Sequence, residues 1–593
     1  MAKKGKREYK KAQIEREISM SDVGIKKDLL SQLLYEAQAY KKFEDIERLV
    51  EGGGDLSMIP MQPLYVSLQN TSKDQIALIL PKLSSEQRQA LRDIDLWKKD
   101  VIDADSAYYW MEIYSKCADD DVILEYVKSE DFLLSIKNQF VIDTFDAEDP
   151  MYPDDDNYFL TEDNQLLIAY PESFTLVQEL KELIRRLYSD LGVENAYAFL
   201  FKMVVDSYQV MEEDNFQEKK ERLRDFGFVD YFEALEYNSF FYSTEQIDQF
   251  IKQKKSLTPR LDSLSMNQSL HATSLVPYQN GMDHIKDALN AVTDNQRSQF
   301  LHFNFVRLVN ARMTLDDALK HGTTAMSRVG SQTRQCLELG FEYIHSHLSK
   351  DKAIFSLFDF LDLYKVGHSL IEVTRKQIKK AMSDTPFEED DFGYFLGLYW
   401  NAFVENSHEE VAKYKFDGSS KPLEIRDLDS YRMWNEAALT FSEALPFVNT
   451  FFDSLQKLKL SGLLNDQFYL NYEVDNIDFE AIMISSFINF IGGHYDESSA
   501  GKMGVTISEM KVFYHKFFVK NGDEFLIKGE EDPIIQENTS LFIKKFGLEK
   551  IPSFDKYLYQ IMIEQLNGYE IDGMTEDDFK HIGGPILLNY TGN

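Results

Sequence analysis

Residues Ser72 to Asp95 read SKDQIALILPKLSSEQRQALRDID. Ser72 stands three residues before Gln75, and Ser84 three before Gln87. Each is a capping-box spacing, in which a hydroxyl and an amide side chain satisfy backbone N–H groups orphaned at a helix start. Each box opens a helical run of only about eight to ten residues before another stop. Asp105, Asp119 and Ser129 stand before further short periodic runs as far as Asn138. Helices of this length are marginal alone in water, so they must stack to bury their apolar faces. The stretch from Gln62 to Asn138 therefore predicts superhelical stacked short helices at the N-terminal side of a mainly α chain.

Outward from that array the helical pattern continues. On the N-terminal side Leu30, Leu33, Leu34, Ala37 and Tyr40 mark one helix face, closed by Gly52–Gly54. On the other side the stretch Asp143 to Glu172 carries ten acidic residues and no Lys or Arg, with Pro150 and Pro153 making it a loop. Within it, Tyr158–Thr161 and Gln165–Tyr170 flank Glu162-Asp163-Asn164 and predict a β-hairpin. Helices are predicted over Leu176–Leu187, Glu194–Val210 and Tyr231–Tyr237, and a second helical block from Met282 to Met382. The last third shows helical patterns at Tyr394–Val404, Tyr431–Leu445 and Phe479–Ile491. Asn521-Gly522 reads either as a hairpin turn or as the end of a helix from Ile507. The expected organisation is a basic, disordered tail over 1–20, a helical repeat domain over 21–142 and an acidic loop, hairpin and helices over 143–251. A second helical domain over 252–385 and a C-terminal helical domain over 386–593 complete it.

Composition narrows the function. At 593 residues with 44% apolar content, the chain is large enough for roughly two to four packed units. Its formal charge of −36 lacks the basic footprint that a nucleic-acid binder needs to neutralise phosphates. Lys3, Lys4, Lys6, Arg7, Lys10 and Lys11 are a local exception, the one segment suited to touch RNA or acidic lipid. Two cysteines, Cys117 and Cys336, form no disulfide framework, and the basic start runs into Gln13–Glu17 rather than an apolar signal core. The expected location is the cytoplasm, without membrane insertion, since no apolar window reaches a membrane span.

Motifs for chemistry are sparse. Gly501-Lys502 is followed by Met503 where a P-loop needs a hydroxyl for the metal, and Asp496 holds the first glycine position. His408-Glu409 begins a zincin pattern that Ala412 ends. His368, Glu372 and Arg375 fall at i, i+4 and i+7, hence on one helix face, and are the catalytic candidates if the chain is an enzyme acting on an anionic group. Cationic residues near a helix C-terminus also simply complement the helix dipole. Asp154, Asp155, Asp156 and Asp163 are the metal candidates, because calcium and magnesium take carboxylate oxygens, although EF-hand spacing is absent. No cofactor is expected.

The segment Leu64–Asp95, with Ile76 to Leu80 followed by Leu83-Ser84-Ser85-Glu86-Gln87-Arg88 and Leu91, resembles the superhelical repeat of the MgtE N-terminal domain and FliG. Those share an apolar helix, Leu-Ser/Pro-x-Glu-x-Arg, and a second apolar helix. The likeness covers the array alone and brings neither CBS modules nor a channel, so magnesium transport does not carry over. Leu91 to Trp97, Arg222 to Phe228 with Tyr231 and Ala234 to Glu236, and Tyr364 to His368 resemble a bacterial helical family known only as a domain of unknown function. That resemblance implies a cytosolic bacterial protein and no particular activity. Taken together, the sequence predicts a scaffold or regulatory adaptor that binds another protein through a stacked-helix surface. The alternatives are an enzyme with a site near His368 and a divalent-cation-responsive regulator.

Overall fold

Ser72 and Ser84 both close their capping boxes: each hydroxyl accepts the N–H of the glutamine three residues on, whose side chain returns to the cap N–H. They open helices α2 (Lys73–Ile79) and α3 (Ser85–Asp95), which follow α1 (Met61–Leu68). Asp119 and Ser129 cap α5 (Asp120–Val127) and α6 (Glu130–Gln139) as expected. The cap of α4 (Ala104–Ser115) is Asp103 rather than Asp105, because Asp103 Oδ2 accepts the N–H of Ser106 while Asp105 already lies in the first turn. In this computed structural model the described residues are 56–589 without 57–58, 60, 70, 257–281, 349–352, 386–394, 417–418, 420, 496–501, 523, 570, 574, 576 and 579–584. The expected Leu30–Tyr40 helix, the Gly52–Gly54 stop and the basic tail lie outside them.

The fold is mainly α-helical, with four small antiparallel sheets among the described residues. The chain divides into two compact units, Met1–Ser239 with Phe250–Lys365, and Phe240–Gln249 with Val366–Asn593.

In the first unit a buried polar network ties the short helices together. Arg92 of α3, 1% exposed, reaches Asp131 of α6 at 3.2 Å and donates to the Tyr114 hydroxyl of α4 at 2.6 Å. Tyr114 stacks on Tyr126 of α5 with ring centroids 4.1 Å apart, and both rings face the guanidinium. Sharing one cation among four helices fixes their mutual spacing better than apolar contact alone would. Strands β1 (Trp97–Lys98) and β2 (Val101–Ile102) form a small pair that the sequence pattern did not predict. Strands β3 (Val141–Thr144), β4 (Tyr158–Leu160) and β5 (Leu166–Ala169) form a three-stranded sheet in the order β3-β5-β4.

Helices α7 (Val177–Leu191), α8 (Val193–Val205) and α9 (Tyr208–Asp225) follow. The single helix expected over Glu194–Val210 is broken, since Asp206 and Ser207 are extended and Lys137 donates to the Met203 and Asp206 carbonyls left open there. A second ion pair, buried on its acidic side, extends the array: Arg222 of α9 binds the Asp93 carboxylate of α3 through two nitrogens at 2.8 and 2.9 Å. The helix expected over Tyr231–Tyr237 is present as α10, capped by Asp230. It packs Ala234 against Ala311 of α13. The remaining helices of this block are α11 (Thr244–Ser256), α12 (Asp283–Asn290), α13 (Asn295–Leu315), α14 (Gly322–Ser346) and α15 (Phe360–Ser383), and the division between units falls within α11 and α15.

The second unit continues with α16 (Leu398–His408), the unexpected pair β6 (Lys413–Tyr414) and β7 (Leu423–Glu424), and α17 (Leu428–Leu460). α17 runs through Pro446, well past Leu445. Proline removes a backbone donor and normally breaks a helix interior. Here buried Trp434, Phe441, Leu445 and Val448 pack on both sides of Pro446 and hold the helix together. After α18 (Phe479–Ile491), both readings of Asn521-Gly522 hold in part. The helix α19 (Ile507–Phe517) ends at Phe518, and β8 (Phe518–Asn521) turns through Gly522, φ +69°, into β9 (Glu524–Ile527). Helices α20 (Pro533–Phe546) and α21 (Phe554–Leu566) complete the unit. Among the described residues no helix is long and apolar enough to cross a membrane.

Candidate protein-binding site

The acidic stretch that reads as loop and hairpin builds a small sheet and an exposed connection in the first unit. The hairpin forms in the expected register, Tyr158 opposite Ala169 and Leu160 opposite Leu167. Its inner side is set by the alternating pattern of β4 and the buried Leu166, Leu167 and Ile168. The turn is locked by Asp163, whose Oδ1 accepts from the Thr161 hydroxyl at 2.7 Å, the Gln165 N–H at 3.2 Å and the Tyr188 hydroxyl at 3.0 Å. Asn164 takes the left-handed conformation that such a turn requires, one that Asn tolerates. The third strand, β3, was invisible in the sequence: Val-Ile-Asp-Thr has no alternating apolar pattern, and three of its four residues are exposed.

The connection from β3 to β4 projects the acids. Asp154, Asp155 and Asp156 are fully on the surface. Among the described residues only Glu162 of the ten carboxylates is ion-paired, with Arg185 at 2.9 Å. Inside this acidic setting an aromatic ladder runs from Phe145 to Tyr152 to Tyr158, with centroids 5.4 and 5.6 Å apart. Met151 is 79% exposed and Tyr152 55% exposed, held between Pro150 and Pro153. Uncompensated carboxylates beside exposed, ordered apolar side chains suit a cationic, partly apolar partner. Sequence reasoning passed over Met151 and Tyr152. Their signal was two large apolar residues between prolines in an otherwise acidic run.

The metal candidates do not converge. Asp163 is engaged in its turn, and among the described residues no group of three or more His, Cys, Asp or Glu side chains is placed to hold an ion.

The second unit holds the catalytic candidates. His368 packs edge-on against Phe240, centroids 5.5 Å apart. Arg375 donates to Glu372 at 3.1 Å and, through Nε, to the Ser407 carbonyl at 2.9 Å, with a further bond to the Glu409 carbonyl. The carbonyls at a helix end lack intrahelical donors, and a guanidinium satisfies them and the dipole together. The face shared by the trio thus serves two different neighbours: His368 meets Phe240, and Glu372 with Arg375 closes the end of α16.

Residues 28–414 match a family of unknown function, DUF6178. The chain belongs to that family. Within DUF6178 the matched span takes in the Arg92 network, the acidic sheet and the His368 face, and leaves out α17 to α21. No curated protein matches the chain, and no solved structure does.

Proposed function

We propose that this DUF6178 chain is a protein-binding adaptor whose partner lays a basic segment over the acidic sheet, on the connection between β3 and β4. The supporting observation is the set of unpaired carboxylates around exposed Met151 and Tyr152. Lysine or arginine heads would pair with Asp154 to Asp156, while their aliphatic stems and neighbouring apolar side chains cover Tyr152. The stacked-helix array acts as the rigid mount of this surface. Its own large exposed apolar residues, among those described from α1 to α6, are Leu78 and Val101, too few for a docking face. The likeness of Leu64–Asp95 to a superhelical repeat agrees with that mounting role.

The test is binding of a fluorescent peptide of alternating lysine and leucine, read by anisotropy. Replacing Asp154, Asp155 and Asp156 together with Asn is expected to weaken binding about tenfold, since exposed charges contribute roughly 0.2 to 1 kcal/mol each. Tyr152→Ala should weaken it further and in a salt-independent way. The variant Glu530→Gln/Glu531→Gln, which neutralises exposed acids elsewhere, should leave affinity unchanged. Equal losses from both sets would mean that net charge alone attracts the peptide, and the proposal would fail.

A further inference from the structure

In the order β3-β5-β4, strand β3 has a partner on one side only. The Phe145 N–H bonds to the Gln165 carbonyl at 2.8 Å, and bonding alternates along an antiparallel pair. In the observed register Asp143 and Val141 therefore bond to Leu167 and Ala169 of β5. The N–H and C=O groups of Ile142 and Thr144 point the other way. Among the described residues no hydrogen bond reaches those outward groups. Helix α8 also approaches β3, yet Val141 is 63% exposed, and Asp143 and Thr144 are exposed as well. Unpaired backbone on an edge strand is a template for a further strand.

The two faces of this edge differ. Successive side chains alternate between faces, and residues opposite one another share a face. Ile142 stands in one row with Ile168 and Phe159, both buried. Asp143 shares the other face with Val141 and Phe145, and Phe145 begins the aromatic ladder into the acidic connection. One face of β3 is thus continuous with the core and the other with uncompensated carboxylates. The opposite edge lacks this contrast: β4 is Tyr158-Phe159-Leu160, without a charge, and its Tyr158 and Leu160 are half-buried.

We propose that the partner's basic segment binds by strand addition, pairing antiparallel with β3 through the backbone of Ile142 and Thr144. A cationic side chain then stands opposite Asp143, and apolar ones stand opposite Ile142 and Thr144. Strand addition rests on the adaptor reading, and it specifies an extended partner of alternating cationic and apolar residues. Main-chain bonds to the edge supply affinity, and the alternate side chains supply selectivity. Residues opposite Ile142 and Thr144 exchange both backbone bonds with them. The N–H groups of the partner's apolar residues therefore face β3, and those of its cationic residues face away.

The test uses the full chain and the fluorescent lysine–leucine peptide in two N-methylated forms, read by anisotropy. Methyl groups on the leucine nitrogens remove the donors that face β3. They should weaken binding about tenfold or more, one lost bond being worth up to about a factor of ten. Methyl groups on the lysine nitrogens point away and should leave affinity unchanged. Equal effects of the two patterns, or no effect of either, would overturn strand addition. Thr144→Pro removes only an outward N–H, a change that edge strands tolerate, and should weaken the unmodified peptide similarly. If that variant unfolds at lower temperature, the methylated peptides on the wild type still decide. The two readings fail separately. Weakening by replacement of Asp154, Asp155 and Asp156, without a difference between the methylated peptides, would keep the adaptor and remove the added strand. A difference between the methylated peptides, without any effect of that replacement, would keep the added strand and remove the acidic connection as its contact.

Discussion

Arg92→Met is expected to destabilise the first unit by about 3 to 5 kcal/mol, the usual cost of removing one partner from a buried ion pair. The guanidinium is enclosed by Asp131, Tyr114, Gln89 and the stacked Tyr126 ring, and Asp131 Oδ1 already lacks a hydrogen-bond partner. Without Arg92 the Asp131 carboxylate would retain the Gln89 amide but no cation. Nearby Asp93 stays paired with Arg222, so the damage should centre on α4, α5 and α6 rather than on α9. Arg92→Met/Asp131→Leu should recover most of the loss, because apolar replacement of both members of a buried pair is close to neutral. Urea unfolding combined with hydrogen exchange at Tyr114 and Tyr126 measures both variants. A loss below about 1 kcal/mol for the single variant, the range of an exposed pair, would show that the network is not what joins the helices.

Trp434→Ala should destabilise the second unit by about 3 to 5 kcal/mol, as expected for truncating a wholly buried aromatic residue to a methyl group. Trp434 of α17 is fully enclosed, and its indole N–H donates to the Ser407 hydroxyl at 2.9 Å. Ser407 is also the residue whose carbonyl receives Arg375. The last turn of α16 is thus held by α17 on one side and α15 on the other. Trp434→Phe keeps most of the packing and gives up one hydrogen bond, for an expected cost of about 1 to 2 kcal/mol. Thermal unfolding of the two variants separates the contributions. If Phe proved as damaging as Ala, the indole hydrogen bond rather than ring volume would be the main anchor.

The short-helix array was legible because its boundaries are written locally. Ser72, Ser84, Asp119 and Ser129 each act on backbone groups within three residues, so spacing alone locates them. The hairpin turn at Thr161–Gln165 was legible for the same reason. What was not legible depends on partners distant in sequence. β3 exists because β5 lies beside it, α17 passes Pro446 because packing on both sides outweighs a local breaker, and α8 ends where Lys137 supplies donors. The candidate residues divide along the same line. Periodicity placed His368, Glu372 and Arg375 on one face, but their partners, Phe240 and the end of α16, come from other segments.

The acidic sheet shows how composition and geometry join. Charge alone marks Asp143 to Glu172 as a solvated run. Ordered strands, a locked turn and the Phe145–Tyr152–Tyr158 ladder make it instead a fixed surface carrying uncompensated charge and exposed apolar groups. The most direct measurement is hydrogen exchange across the whole chain with and without the lysine–leucine peptide at about 0.15 M salt, where long-range attraction is screened. The adaptor reading predicts protection gained between Thr144 and Tyr158 and little change elsewhere. Protection spread evenly over acidic surfaces, or centred on α2 to α6, would contradict it.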